Sequence, residues 1–240
     1  MLFDHVLAIV LVLVFPVWVA WNIPHLARRV EADPLNARTK EYLWGIANQW
    51  GLTLVLIGAW WGTGRPIREI GLRLPETASA WSWSLVIAVG GTAIFVQQAL
   101  TALRSSDAQA KVREYIESQP GLRTLLPSTP REARVFIAAA ITAGICEEVL
   151  YRGYLLWYLQ SLMPRAAAIA AAIVVFGVGH AYQGVRGILS TGVAGAIAMS
   201  VYLLTGSLLA PIVLHVALDI VNGLTIYTAR FGAQAPLFER

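Results

Sequence analysis

The stretch 134–160 reads RVFIAAAITAGICEEVLYRGYLLWYLQ, and it decides the fold class. As a helix it can cross a hydrocarbon core roughly 30 Å thick, because each helical residue rises about 1.5 Å. It nevertheless carries Glu147, Glu148 and Arg152 near its centre. A charge in the middle of a span costs about 2.5 to 3.5 kcal/mol. Each of these residues therefore needs a partner or a function.

The rest of the chain is similarly apolar. Its 240 residues are 57% apolar and 13% charged, and the mean hydropathy is +0.62. Further apolar stretches lie at about 2–21, 42–61, 81–103, 166–181, 187–205 and 207–229. This pattern predicts an all-α, polytopic transmembrane helix bundle of about seven spans, with eight as the alternative. We expect one integral membrane domain over 1–240, with a polar connecting loop at about 104–132.

The basic residues predict the orientation. With the N-terminus outside, the inner segments hold thirteen of them: Arg28, Arg29, Arg38, Lys40, Arg104, Lys111, Arg113, Arg123, Arg131, Arg134, Arg186, Arg230 and Arg240. The outer segments hold Arg65, Arg68, Arg73 and Arg165. By the positive-inside rule the C-terminus is cytoplasmic, in a plasma membrane of bacterial type. Because these charges lie between apolar runs and not on one helix face, no nucleic acid partner is expected.

The charged residues of 134–160 fall into two groups. Glu148 and Arg152 are four residues apart and share a helix face, which predicts an ion pair. Glu147 points about 100° away, so Arg152 is not its direct neighbour. A carboxylate without an obvious partner is the better candidate for chemistry.

Two later spans carry histidines. His180 ends the run that contains Phe176, and His215 is followed four residues later by Asp219 on the same face. Since lipid contact would be costly for all of these groups, convergence in one cavity is the economical explanation. Two imidazoles and a carboxylate suit zinc or another divalent metal, with His180 and His215 as ligands beside Glu147 or Asp219. They equally suit a metal-free site in which a carboxylate polarises water.

The ordered pattern Glu147-Glu148-x-x-x-Arg152, Phe176-x-x-x-His180 and His215-x-x-x-Asp219 resembles one family. This is the CPBP family of CAAX-prenyl-protease and bacteriocin-processing intramembrane proteases, also called Abi. The resemblance covers about 141–225. It implies a catalytic core at about 134–229 and an intramembrane endopeptidase. Where this chain has Asp219, the family often carries Asn.

The resemblance also implies roles for the site residues. Glu147 would activate water for attack on a scissile carbonyl, with His180, His215 and Asp219 completing the site and Glu148 and Arg152 supporting it. The expected substrate is a membrane-associated or lipidated protein or peptide that enters from the lipid bilayer. The alternatives are a non-catalytic membrane scaffold or bacteriocin-immunity protein, and a haem or ion-handling protein that uses His180 and His215.

Overall fold

The computed structural model describes residues 2–232, and over that range the chain forms helices and no strand. The predicted all-α class is confirmed. The helices are α1 Leu2–Ala32, α2 Ala37–Gly62, α3 Ala78–Arg104, α4 Ser106–Glu117, α5 Pro120–Leu125, α6 130–160, α7 Arg165–Gly179, α8 Gly184–Thr205 and α9 Leu209–Phe231. Short 3-10 turns lie at Ile67–Ile70 and Ala181–Gln183, and π-helical segments interrupt α1 at Val10–Val14 and α6 at Glu148–Leu155.

Helices α6 and α9 form the centre of the bundle. Helix α9 packs against α3, α4, α6 and α8, while α2 packs on α6 and α7 packs on α8. Gly144 permits the close approach of α6 and α9, because a Cβ there would lie 2.5 Å from Val216 Cγ2 and 2.8 Å from Val216 N. This contact places the charged segment of α6 opposite the histidine of α9.

Large apolar side chains cover much of the outside of the bundle. On α8, Val185, Leu189, Val193 and Ile197 recur every four residues and are all exposed. Such a stripe is unfavourable in water and suited to lipid. Within residues 2–232, four helices are long and apolar enough to cross a membrane: Leu2–Ala32, Ala78–Arg104, Ala181–Thr205 and Leu209–Phe231. Helix α7 is apolar but shorter. The protein is an integral membrane protein, and the count of seven spans stays a prediction.

If the chain crosses the membrane seven times, every second connecting segment lies on the same side. Contacts at the two ends of the bundle join segments that this arrangement places on one side. At the end that we call outer, Arg65 binds Asp4 through two contacts of 2.7 and 2.9 Å. At the opposite, inner end, Arg38 Nε donates to Thr124 O at 2.9 Å. The predicted cytoplasmic C-terminus, with Arg240, lies outside the described residues.

The polar segment 104–132 is largely helical, since it contains α4 and α5. The longer of the two is α4, whose N-cap Ser105 accepts a hydrogen bond from Ala108 N. Thr129 begins α6, because its side chain accepts a hydrogen bond from Glu132 N at 3.1 Å. Glu132 Oε2 in turn accepts from Ser128 N at 2.7 Å. This capping arrangement satisfies backbone donors at the start of the helix that carries the charged residues.

Candidate active site

The buried carboxylate of Glu148 lies at the centre of the candidate site. Its Oε1 is 3.0 Å from Arg152 Nη1 and 2.9 Å from His215 Nδ1. Glu148 has no exposed surface, and Arg152 is 2% exposed. The predicted Glu148–Arg152 ion pair is therefore present, although within a π-helical segment and not a regular α-helix. Two partners compensate the cost of removing this carboxylate from water.

His215 lies between two carboxylates. Its Nδ1 faces Glu148, and its Nε2 is 3.6 Å from Asp219 Oδ2. The side chain of Asp219 is 36% exposed, whereas that of His215 is 12% exposed. Both ring nitrogens can therefore donate toward a carboxylate, and Asp219 lies on the accessible side of the group.

The ring of Phe176 connects the three helices of the site. Its centroid is 3.8 Å from the Arg152 guanidinium carbon, 4.9 Å from the His180 ring and 6.1 Å from the His215 ring. Tyr151 packs edge-on against it at 5.3 Å. A guanidinium over an aromatic face is an attractive arrangement. In the sequence Phe176 appeared only as part of a motif, and its place against all four side chains was not predicted.

Gly195 of α8 leaves space for this arrangement. A Cβ on Gly195 would lie 2.9 Å from Phe176 Cδ1 and 3.3 Å from Arg152 Nη2. Its importance was not predicted, because an isolated glycine in an apolar helix has many explanations. The close approach of Gly195 to Phe176 and Arg152 becomes visible only when α8 is packed against α6 and α7.

Glu147 has no partner of the kind that holds Glu148. Its Oε2 is buried and receives no hydrogen bond from any side chain or backbone group in residues 2–232. The carboxylate interacts electrostatically with His215, Asp219 and Tyr182. Glu147 thus lies close to Glu148 in the same cluster, but its carboxylate is not engaged by a hydrogen bond or ion pair with any described residue.

His180 ends α7 and has a defined ring orientation. Its Nδ1 lies 2.8 Å from Phe176 O. Because a carbonyl oxygen only accepts, Nδ1 carries the proton, and Nε2 of the neutral ring is an acceptor. His180 also interacts electrostatically with Asp219. The structure therefore brings all six predicted residues into one cluster. They come from the middle of α6, the inner end of α7 and the middle of α9.

Metal binding was one of the predicted roles of this cluster. Within the described part of the chain, no three or more His, Cys, Asp or Glu side chains are grouped to hold a metal ion. Both nitrogens of His215 already face carboxylates. The predicted ligand set of His180 and His215 with Glu147 or Asp219 stays a prediction, and no chemical step below uses a metal.

A cavity of about 410 Å³ opens at the inner end, next to the cluster. It lies between α1, α5 and the turn Ala181–Gln183, with Ile23, Pro24, Gly121 and Tyr182 in its lining. The Tyr182 ring is 5.9 Å from the His180 ring. Tyr182 therefore borders both the cavity and the charged cluster. This neighbourhood was not predicted, because α1 is distant in the chain from the motifs.

Residues 129–221 match the family described as type II CAAX prenyl endopeptidase, Rce1-like. This segment is Rce1-like. The finding confirms the predicted family, and the matched range contains all six predicted site residues. The Rce1-like range is less than half of the chain and includes α6, α7 and α8. No curated protein and no solved structure matched the chain.

Rce1-like proteins are a protease family, which supports hydrolase activity at the level of the class. Helices α1 to α5 lie before the Rce1-like range. These helices supply the α1 and α5 walls of the inner cavity. The family match and the α1 and α5 walls of the cavity therefore lie in different parts of the chain.

Proposed function

We propose that this protein is a CAAX-prenyl-protease-like intramembrane endopeptidase in which Glu147 activates a water molecule. The observation that carries the proposal is the contrast between the two adjacent glutamates. Glu148 Oε1 is held by Arg152 and His215, whereas neither oxygen of Glu147 forms a hydrogen bond or ion pair with any described residue. A general base needs such an available carboxylate within reach of a water molecule.

The reaction follows from the positions of the side chains. Glu147 takes a proton from water as the hydroxyl attacks the scissile carbonyl carbon, and the His180 Nε2 acceptor helps to orient that water. His215, held between Glu148 and Asp219 by its two ring nitrogens, provides positive charge near the developing oxyanion. When the C–N bond breaks, the proton on Glu147 passes to the leaving nitrogen. Water has then been added across the peptide bond, and Glu147 is again a carboxylate.

The membrane setting supports a membrane-associated or lipidated protein or peptide as the substrate. The apolar outer faces of the helices contact lipid, and the cavity of about 410 Å³ opens beside Tyr182 at the inner end. A substrate anchored in the bilayer can bring an extended segment to the cluster from that side. We further propose that the inner end faces the cytoplasm.

The first experiment compares newly formed peptide termini in membranes of cells that carry the protein or its Glu147→Gln variant. We expect specific termini to appear only with the native residue, because the amide cannot take a proton from water. Glu31→Gln is the matched control, since Glu31 is exposed at the inner end of α1. Equal profiles for the native protein and Glu147→Gln, at equal expression, would refute the protease proposal and favour the scaffold.

Removal of metal ions tests the mechanism separately. Because His215 faces carboxylates through both nitrogens, we expect the same termini after the purified protein is treated with a strong chelator. The measurement is cleavage of a substrate identified in the first experiment, before and after chelation. Loss of cleavage that returns only when zinc is added would show that the predicted ligand set forms.

A further inference from the structure

The outer end of the bundle contains a cavity of about 250 Å³ that the proposed hydrolysis does not use. It lies between the end of α6, the segment around the turn Ile67–Ile70, the start of α7 and the end of α8. Polar side chains dominate its rim. They are Glu69, Arg73, Gln160 and Arg165, with Trp157 and Tyr202 beside them.

Arg73 is fixed in position at this cavity. Its Nε donates to Gly206 O at 2.7 Å, and its Nη1 donates to Glu76 Oε1 at 2.9 Å. The nearby Ser207 Oγ donates to Arg73 O at 2.5 Å, which also holds its backbone. With two donors engaged, Nη2 remains at the rim. A guanidinium that is already ordered loses little conformational entropy when it binds an oxyanion.

Arg165 supplies a second cation without a protein partner. It is exposed at the first position of α7, and it makes no hydrogen bond or ion pair with any described residue. The first backbone N–H groups of α7 have no acceptor within the helix. Two guanidinium groups and a helix start thus surround one cavity, and together they favour an anion.

We propose that this cavity binds a phosphate group whose substituent carries an N–H or O–H donor. Arg73 and Arg165 bind the phosphate oxygens, because the guanidinium fork matches phosphate geometry. Glu69 lies on the same rim and accepts a hydrogen bond from the substituent. The carboxylate of Glu69, in addition to Glu76 on Arg73, would weaken a simple anion site. It selects a headgroup such as phosphoethanolamine, in which a cation follows the phosphate.

The position favours a phospholipid headgroup as the source. The cavity lies where α6 and α8 end and α7 begins, and Trp157 on its wall has the amphipathic character that suits the headgroup layer. Its floor is formed by Leu156 and Leu203, which would contact the glycerol and the first acyl carbons. A free phosphate compound offers the same chemistry, so the test distinguishes the two sources. The proposal does not depend on the protease activity.

The test measures binding to the full chain purified in an uncharged detergent, by native mass spectrometry and calorimetry. The probes are short-chain phosphatidylethanolamine, short-chain phosphatidylcholine and inorganic phosphate. We expect phosphatidylethanolamine to bind more tightly than phosphatidylcholine, which has no N–H donor. Arg165→Gln should weaken this binding about tenfold or more, because a charge-assisted hydrogen bond is lost.

Arg68→Gln is the matched control, since Arg68 is an exposed arginine at the same end but does not line the cavity. It should bind phosphatidylethanolamine as the native protein does. Binding of inorganic phosphate that depends on Arg165, without lipid binding, would support the site and identify a free phosphate compound as its source. The proposal is overturned if Arg68→Gln weakens binding as much as Arg165→Gln, or if no probe binds.

Discussion

Glu148 and Arg152 are the residues whose removal should most affect stability. Both are almost completely buried, and the pair is held at 3.0 Å beside His215. A buried ion pair is not strongly stabilising by itself, because both charges lose their hydration. Breaking it is costly, since the remaining charge has no water and no counterion.

Glu148→Gln should therefore lower the free energy of unfolding by about 3 to 5 kcal/mol, since it leaves Arg152 buried without a counterion. The measurement is reversible unfolding of the purified protein in detergent, with Glu31→Gln as the exposed control. The double variant Glu148→Gln with Arg152→Met removes both charges and should be more stable than Glu148→Gln alone. If the double variant is the less stable of the two, charge burial is not the cause.

At the scale of a single residue, Glu147 and Glu148 show why neighbouring identical side chains have different functions. Each has a buried Oε2 that no donor reaches in the described structure, but Glu148 Oε1 contacts Arg152 and His215, whereas Glu147 forms no hydrogen bond or ion pair there. The difference in environment, not in chemistry, separates a positioning residue from the proposed base. The same contrast makes Glu147→Gln compatible with a folded protein, whereas Glu148→Gln is not expected to be neutral.

At the scale of the helices, the site depends on how closely α8 approaches α6 and α7. Gly195 faces Phe176 and Arg152, with no space for a methyl group. Gly192 lies three residues earlier on the same helix, and a Cβ there would meet no heavy atom within 4 Å. These two glycines therefore provide a test of the packing and not of helix propensity.

Gly195→Ala should reduce proteolysis by about 100-fold, because a displacement of about 1 Å at the reacting groups has an effect of that size. Gly192→Ala should leave proteolysis close to that of the native protein. The measurement is the initial rate of cleavage of an identified substrate by purified protein at equal folded concentration. Equal rates for both variants would show that the Phe176 ring does not control the position of the charged cluster.

At the scale of the whole molecule, the contacts at the two ends define a bundle with distinct sides. The Asp4–Arg65 pair ties the start of α1 to the segment after α2. The aspartate holds the pKa of the Arg65 guanidinium above its ordinary value, so this contact persists at every physiological pH. The opposite end carries the cavity beside Tyr182 and most of the basic residues. The positive-inside rule predicts that this end faces the cytoplasm.

Cysteine labelling tests this orientation. Cys146 is the only cysteine of the chain and is buried, so Cys146→Ala provides a suitable background. We expect Glu76→Cys to react with a membrane-impermeant maleimide in intact cells. Glu31→Cys should react only after the membrane is permeabilised. The reverse pattern would place the cavity and the charged cluster on the outer side of the membrane.

The sequence by itself determined the helical class, the family and the Glu148–Arg152 pair. All three depend on local information. The length of an apolar run fixes whether a helix can span lipid, and a spacing of four residues brings two side chains onto one face. The order of the three motifs along the chain was sufficient to predict the family. The match over residues 129–221 confirms that prediction.

Only the tertiary structure decided how these parts meet. The contact of His215 with Glu148, the position of Phe176, the need for Gly195 and the cavity beside Tyr182 each join helices far apart in the chain. The rotation and the height of one helix against another depend on long-range packing, such as that of Gly144 against Val216. A sequence pattern specifies which face of a helix is polar, but it does not specify which neighbour that face meets.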